Sequence, residues 1–180
     1  MKKNIIFFLI FFATTLVADE RTIKLDRLFN DLKINNTSIS YEVEQKIWKM
    51  WSTHPHDNKL TNMLADGSDL VNNQKLNQAI DIFSRVIELD PNWAEAWNKR
   101  ATVLYLMGEY ELSQADINKV LELEKRHFGA LSGQGLVQTA LKNYQKAIDS
   151  YIEAHKVHPN MKSPLIMIEK LQLKIKKESI

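Results

Sequence analysis

The chain has 180 residues, enough for one domain or a short array of repeats and too few for two large folds. Its 5 glycines and 4 prolines are few for an all-β protein, so the composition favours helices, and the lack of cysteine excludes disulfide bonds, thiolate nucleophiles and cysteine-ligated metal sites. The net charge of +2 at pH 7 is supplied by Lys2 and Lys3, and no basic stripe argues for nucleic acid as a partner.

Residues 1–18 have the features of an export leader. Two lysines precede an apolar run over residues 5–17, and the small residue Ala18 stands before the acidic Asp19. The run is 13 residues long, whereas a membrane-spanning helix needs about 20. The pattern predicts a bacterial Sec signal peptide cut after Ala18 and a periplasmic or secreted mature chain. An uncleaved N-terminal membrane anchor is the alternative.

Residues 19–59 predict a helical extension made of two helices. The first follows from apolar residues at helical spacing, which are Leu25, Leu28, Phe29 and Leu32. The second is predicted from Ser38 to Trp51, with a bulky apolar set comprising Tyr41, Ile47, Trp48, Met50 and Trp51. Two readings of this aromatic helix stay open: it docks on the segment that follows, or it is a surface for a partner or a second copy.

The remainder of the chain repeats with a period of 34 residues. Asp90-Pro91-Asn92 and His158-Pro159-Asn160 lie twice that distance apart, and a shift of 34 superimposes small residues on small ones and large on large. The aligned sets are Gly67, Ala101 and Gly135; Ala79, Ser113 and Ala147; Phe83, Ile117 and Tyr151; Leu76, Tyr110 and Tyr144; and Val86, Val120 and Ala154. Small residues allow two helices to cross closely, and the Phe/Ile/Tyr set is expected to fill the space between successive helix pairs. Turns are predicted at 72–74, 107–109 and 141–143.

This pattern resembles the tetratricopeptide repeat, a pair of antiparallel helices that stacks into a right-handed solenoid. The residues that carry the resemblance are Gly67, Ala79, Phe83 and Pro91 in a unit over 60–93; Trp97, Ala101, Gly108, Tyr110 and Ile117 in a unit over 94–127; and Leu131, Gly135, Tyr144, Ala147, Tyr151, Ala154 and Pro159 in a unit over 128–161. Asp66, Ser113 and Lys125 depart from the motif. The resemblance implies an all-α solenoid of three hairpins.

Residues 162–180 predict a helix that caps the exposed end of the stack. Ser163 is expected as its N-cap and Pro164 in its first turn. Its apolar side is predicted from Leu165, Ile168, Leu171 and Ile175, with lysines facing water.

Few sequence motifs suggest catalysis, metal binding or phosphate binding. The glycine-containing run 129–135 has neither the lysine of a phosphate-binding loop nor a strand before it, and the period places it within a helix. His54 and His56 are interpreted as part of the linker into the first repeat, and His127, His155 and His158 as surface or helix-terminal residues, in each case rather than as metal ligands. Asp81, Asp116 and Asp149 are interpreted as surface groups of the repeats. The sequence therefore predicts a protein that is not an enzyme, with no catalytic residue, no metal and no cofactor.

The resemblance implies that the first helices of the units form a concave groove that binds a protein or peptide partner. The groove residues expected from the alignment are Leu64, Ser68, Asn98, Thr102, Tyr105, Leu106, Ser132, Leu136 and Thr139. Relatives that hold a C-terminal carboxylate use a basic clamp, and at the matching positions only Lys99 is suitable. A chaperone-tail receptor is therefore disfavoured.

Two functions follow as hypotheses. The first is a scaffold or adaptor of the bacterial envelope that holds a peptide or helix of another protein. The alternative is an accessory binder of cell-wall glycan or a small ligand that modulates an envelope enzyme, for which Trp93 is the aromatic residue expected to stack on a sugar.

Overall fold

The computed structural model describes residues 20–34 and 36–178, and every regular element in those ranges is a helix. The predicted all-α class is confirmed. In chain order the helices are α1 (20–31), α2 (Thr37–Ser52), α3 (Asn58–Asn72), α4 (Leu76–Leu89), α5 (Ala94–Leu106), α6 (Tyr110–Leu123), α7 (Phe128–Ala140), α8 (Tyr144–Val157) and α9 (Lys162–Glu178).

The predicted leader, residues 1–18, lies outside these ranges. Within them, no helix combines the length and the apolar character that crossing a membrane requires. The chain forms two compact units, and the boundary between them falls after Met50, inside α2.

The first unit contains α1 and most of α2. All four apolar residues predicted for the buried side of α1 are buried, namely Leu25, Leu28, Phe29 and Leu32. Arg21 at the start of α1 donates a hydrogen bond to the carbonyl oxygen of Met50, so the two helices run antiparallel. Burial lowers the pKa of Arg21 below its ordinary value.

Helix α2 begins one residue earlier than predicted, because Asn36 caps it. The Asn36 Oδ1 atom accepts the N–H groups of Ser38 and Ile39 at 3.1 and 3.2 Å. Its buried side carries Val43 and Ile47. The expectation that Tyr41 is buried is wrong: the residue is 63% exposed, since it is rotated by about 100° from its buried neighbour Ser40. The docking of this helix pair on the first repeat stays a prediction.

The second unit contains the repeats, in which α3 pairs with α4, α5 with α6 and α7 with α8. The second helix of each hairpin also packs on the first helix of the next one, as in α4 against α5 and α6 against α7. Buried apolar clusters lie along these contacts. Phe83 of α4, for example, shares a buried cluster with Ala96 and Val103 of α5.

The three hairpin turns have the same backbone geometry at intervals of 34 residues. Gln74, Gly108 and Lys142 have left-handed φ angles of 59°, 83° and 61°. The N–H of each donates to the carbonyl three residues earlier, at 2.9, 3.0 and 3.0 Å. The N–H of the next residue donates five residues back, at 2.8, 2.9 and 2.8 Å, which closes the end of each first helix in a Schellman motif. The predicted turns therefore lie where the period placed them.

Small residues of the repeat face a large side chain of the paired helix. A Cβ atom on Gly67 would lie 2.5 Å from the ring of Phe83, and one on Gly135 would lie 2.5 Å from the ring of Tyr151. The middle hairpin has Ala101 instead, and the Ser113 hydroxyl donates to the Ala101 carbonyl at 2.8 Å. This bond accounts for serine at a position where the other two hairpins have alanine. The Phe/Ile/Tyr set fills space within the hairpins as well as between them.

Arg100 of α5 links three helices. Its Nε and Nη2 atoms donate to the two carboxylate oxygens of Asp116 at 2.8 Å each, and Nη1 donates to the hydroxyl of Ser84 at 3.1 Å. The hydrogen bond to Asp116 raises the pKa of Arg100, with the charge attraction adding to it against the opposing effect of burial. The interpretation of Asp116 as a surface group is wrong, because this carboxylate is buried between α5 and α6.

Helix α9 packs on α8 and covers the end of the stack. Leu171 joins the cluster of Ala147, Ile148 and Tyr151, and Ile168 and Ile175 lie against it as predicted. Two details differ from the prediction. The helix begins at Lys162, which places Ser163 inside it rather than at the N-cap, and Leu165 is exposed while Pro164 and Met167 take the inner side.

Candidate partner-binding groove

The first helices of the three hairpins, α3, α5 and α7, lie side by side, with α5 in contact with both of the others. We call the face they form the groove. Three hydroxyl groups on it are held by their own helices. Ser68 donates to the Leu64 carbonyl at 2.9 Å, Thr102 to the Asn98 carbonyl at 3.0 Å and Thr139 to the Gly135 carbonyl at 2.7 Å. Each of these oxygens keeps lone pairs that can accept a hydrogen bond from a partner.

A cavity of about 60 Å³ opens into the groove between α5 and α7. It is lined by residues of α5, α6 and α7, which are Asn98, Ala101, Thr102, Tyr105, Ser113, Ile117, Gly129, Gly133, Leu136 and Val137. Sites for cofactors and drug-sized ligands have volumes of roughly 300–1,000 Å³. A space of this size instead fits one small side chain or a short stretch of backbone.

The missing side chain of Gly133 keeps the cavity open. A Cβ atom built there would be 3.7 Å from Ile117 Cδ1, an ordinary van der Waals distance. The protein could therefore hold an alanine at this position, and the methyl group would occupy part of the cavity. Glycine in the middle of α7 costs helix stability of up to about 1 kcal/mol relative to alanine, so its use here favours a role for the free space.

The structure brings four of the predicted groove residues together around the cavity, namely Asn98, Thr102, Tyr105 and Leu136. Tyr105 is partly buried and its ring centre lies 5.6 Å from that of Tyr110, which fixes its orientation. Leu136 is 39% exposed at the rim.

The other predicted residues do not line this cavity. Leu64 is only 2% exposed and belongs to the core with Leu60 and Phe83, so its assignment to the binding surface is wrong. Leu106 is 55% exposed at the end of α5, and Ser68, Ser132 and Thr139 are partly exposed on α3 and α7.

The alignment selects positions on the first helices that carry side chains able to make contacts, so six lining residues lie outside the predicted set, namely Ala101, Ser113, Ile117, Gly129, Gly133 and Val137. Ala101 belongs to the set of small packing residues, and Ser113 and Ile117 lie on α6. The spacing of Gly129 and Gly133, one helical turn apart, was the signal in the sequence for an open space on α7.

A buried polar cluster lies at the beginning of α5 and α7. His127 Nδ1 accepts the N–H of Ala130 at 3.0 Å and thereby caps α7, while Nε2 lies 3.0 Å from a carboxylate oxygen of Glu95. Because Nδ1 accepts, the proton of the neutral imidazole is on Nε2 and is donated to Glu95. The indole of Trp51 stacks on this imidazole with ring centres 3.9 Å apart. Both members of the His127–Glu95 pair have fully buried side chains.

His54 repeats this arrangement. Its Nδ1 accepts the N–H groups of His56 and Asp57 at 3.2 and 2.9 Å, and its Nε2 lies 2.8 Å from a carboxylate oxygen of Asp90. The prediction of a surface or helix-terminal position holds for His127 and His158, which lie at helix ends although both are buried. His54 lies in the linker before α3, as predicted, and is buried as well. In the described ranges, no group of three or more histidine, aspartate or glutamate side chains is placed to hold a metal ion.

The indole ring of Trp93 is not exposed for stacking on a sugar. It is 6% exposed, its indole N–H donates to the Trp51 carbonyl at 2.8 Å, and its ring lies edge-on to His54 with centres 5.0 Å apart. The expectation of an exposed stacking platform is wrong, because the residue ends the loop between α4 and α5 and is enclosed there.

Comparison with known proteins agrees with this architecture. A sequence model described as a tetratricopeptide repeat matches residues 94–127. A TPR repeat-containing protein of Rhizobium etli is 35% identical over 141 residues, which is 71% of this chain, and the match spans 66% of that relative's length.

Solved structures show the same fold. The first TPR of Spaghetti (RPAP3), bound to an HSP90 peptide, superimposes with a TM-score of 0.64 at 19% identity over 66% of this chain and 94% of its own. The TPR domain of Sgt2 from Aspergillus fumigatus gives a TM-score of 0.65 at 17% identity over 68% of this chain and 83% of its own.

Proposed function

Since the chain is a tetratricopeptide repeat protein, we propose that it is a non-enzymatic scaffold that holds a peptide or helix of a partner protein in the groove. The observation that carries the proposal is the cavity between α5 and α7, which combines an apolar rim at Leu136 with polar groups at Asn98 and Thr102. An extended peptide could place one small side chain in this space while its backbone bonds to the hydroxyls beside it. The peptide held by the RPAP3 domain supports this use of the fold.

The groove favours an uncharged contact. At the positions where relatives place a basic clamp, the chain offers Lys99, and its ammonium group lies 3.4 Å from the buried carboxylate of Glu95. This lysine is therefore already paired. The proposed partner segment is recognised by a small apolar side chain and main-chain hydrogen bonds, not by a terminal carboxylate.

The acid–base groups of the second unit support a role without catalysis. The imidazole and carboxylate of the His127–Glu95 pair are sealed from water and from any substrate. Their hydrogen bonds serve a helix end and a neighbouring helix, which is a structural use of these residues.

The groove can be tested with peptides selected from a random phage-displayed library against the full chain. Leu136→Ala removes part of the rim and Gly133→Ala fills the cavity without a clash, so both should weaken the selected peptides by roughly tenfold or more. Leu112→Ala is the control for the loss of an exposed leucine, because Leu112 is 56% exposed, compared with 39% for Leu136, and lies on α6 outside the cavity. Equal affinity of all four proteins would show that the cavity is not the binding site.

We further propose that the scaffold works in the bacterial envelope, on the strength of the leader pattern at residues 1–18. Fractionation of a bacterial host and N-terminal sequencing of the recovered protein test this. A chain that begins at Asp19 in the periplasmic fraction is the expected result. Recovery of the intact N-terminus in the cytoplasm would contradict it.

A further inference from the structure

The outer side of α9 carries aliphatic and basic residues together. The inner, packed side of α9 is formed by Pro164, Met167, Ile168, Leu171 and Ile175, which lie along one face of the helix. Outside this face Leu165, Ile166 and Leu173 are 48, 50 and 54% exposed, with Ile166 and Leu173 opposite the inner face and Leu165 at its flank. Three large aliphatic side chains, half in water on one helix, need an explanation beyond the capping of the stack.

Most of the charged residues around these aliphatic side chains are basic. Helix α9 contains five lysines and two glutamates. Lys174 is engaged at the inner edge, where it pairs with Glu178 at 3.1 Å and lies over the ring of Tyr144. The other four, Lys162, Lys170, Lys176 and Lys177, are exposed, and each lies within about 40° of at least one of the three aliphatic residues around the helix.

We propose that this face of α9 binds an anionic membrane surface, with Leu165, Ile166 and Leu173 entering the interface and the four exposed lysines contacting lipid headgroups. The positive charge of this face favours an anionic membrane over a second copy of the chain. Two copies of α9 packed face to face would bring eight lysines together and repel one another. An anionic bilayer instead offers negative headgroups for the lysines and an apolar layer directly beneath them for the aliphatic side chains.

The aliphatic residues also distinguish a membrane from a soluble acidic polymer. A polymer would need the lysines only and would leave Leu165, Ile166 and Leu173 in water. Lysine stems are long enough to let the ammonium groups stay among headgroups while the shorter side chains reach deeper. The arrangement is that of an interfacial helix that lies parallel to the membrane.

The absence of cysteine from the chain permits a local test. Glu169→Cys places a single thiol between Leu165, Ile166 and Leu173, and Asp149→Cys places one on exposed α8 as a matched control. Each full-length protein is labelled with an environment-sensitive fluorophore and mixed with phosphatidylcholine vesicles, with and without phosphatidylglycerol. The label reports its own surroundings, so the apolar run at residues 5–17 does not determine the result.

The expected result is a blue shift for the label at position 169 with anionic vesicles only, and no shift at position 149. Adding Leu165→Ser, Ile166→Ser and Leu173→Ser should raise the lipid concentration needed by roughly tenfold or more. The same three changes at exposed Leu89, Leu112 and Ile152 should leave it unchanged. Thermal unfolding followed by circular dichroism verifies that each variant is folded.

Three outcomes would overturn the proposal. One is an unchanged spectrum at position 169, and another is an equal shift with neutral vesicles. The third is an equal shift with polyphosphate that the serine substitutions do not affect, which would identify the face as a site for soluble polyanions.

Discussion

Individual side chains show how the repeat accommodates polar groups in its interior. The phenol of Tyr151 is buried against Gly135, and burial raises its pKa to about 12, compared with 10.0 for an ordinary tyrosine. Because the folded-state pKa is the higher one, the folded chain keeps this proton after the unfolded chain has lost it. The contribution of Tyr151 to stability is complete below pH 10 and is lost as the pH rises towards 12.

Urea denaturation between pH 9 and 12 measures this effect, and the free energy of unfolding should fall over the upper part of that range. In Tyr151→Phe the fall should be smaller, because the ionisable group is absent. Tyr41→Phe is the control, since Tyr41 is exposed and its replacement should leave the profile of the native chain unchanged. Identical slopes for Tyr151→Phe and the native chain would show that this phenol does not govern alkaline unfolding.

The buried His127 allows a second prediction, of the loss of stability when its side chain is removed. His127→Ala removes the cap of α7 and one of the two donors to the buried Glu95 Oε2, which then keeps only the bond from the Asn98 amide. The expected loss is about 2–4 kcal/mol in the free energy of unfolding, the range found when one partner of a buried polar pair is deleted. Urea denaturation at neutral pH measures it.

His56→Ala is the matched control for this change. The side chain of His56 is exposed, and its backbone N–H bond to His54 remains after the substitution. The stability should change by less than about 0.5 kcal/mol. A loss for His127→Ala that is no larger than this would contradict the assigned role of the buried pair.

At the scale of the helices, the hairpin turns set the length of the repeat. Each turn needs one residue with positive φ, and only the middle one has glycine there. Gln74 and Lys142 have side chains in this conformation, which costs roughly 1 kcal/mol per residue. The substitutions Gln74→Gly and Lys142→Gly should therefore each stabilise the chain by about 0.5–1 kcal/mol, as measured by thermal or urea unfolding.

The control for the turns is Asn73→Gly. Asn73 has a φ of −89°, and its side chain donates to the Asp69 carbonyl at 2.8 Å. Glycine at this position gives no relief of strain and removes a hydrogen bond, so the stability should fall. Stabilisation by Asn73→Gly as large as that by Gln74→Gly would show that the sign of φ is not the cause.

At the scale of the whole molecule, the fold could be predicted from the sequence because the repeat depends on the steric fit between the side chains of paired helices. Gly67 and Gly135 mark positions where an aromatic ring occupies the place of a side chain, and the turns recur with the same hydrogen bonds. These relations depend only on residues within one hairpin. A single sequence therefore contains three independent instances of the same rule.

The groove was predicted less completely, because it depends on how far each helix is rotated towards its neighbours. Leu64 was assigned to the binding surface, yet α3 turns it into the core with Leu60 and Phe83. Ile117 contributes to the cavity from α6, a helix that the alignment does not assign to this face. The burial of Trp93 depends on its contacts with Trp51 and His54, which lie about 40 residues earlier and outside the period.

The hairpins from α3 to α8 are joined mainly to their immediate neighbours along the chain. A force applied to the two ends of such a stack does not meet one central core, as it would in a globular domain. Because the contacts lie mainly between neighbouring pairs, we expect the pairs to unfold one after another under such a force, in steps of 34 residues. We therefore expect such a stack to lengthen stepwise while the pairs that are still folded keep their structure.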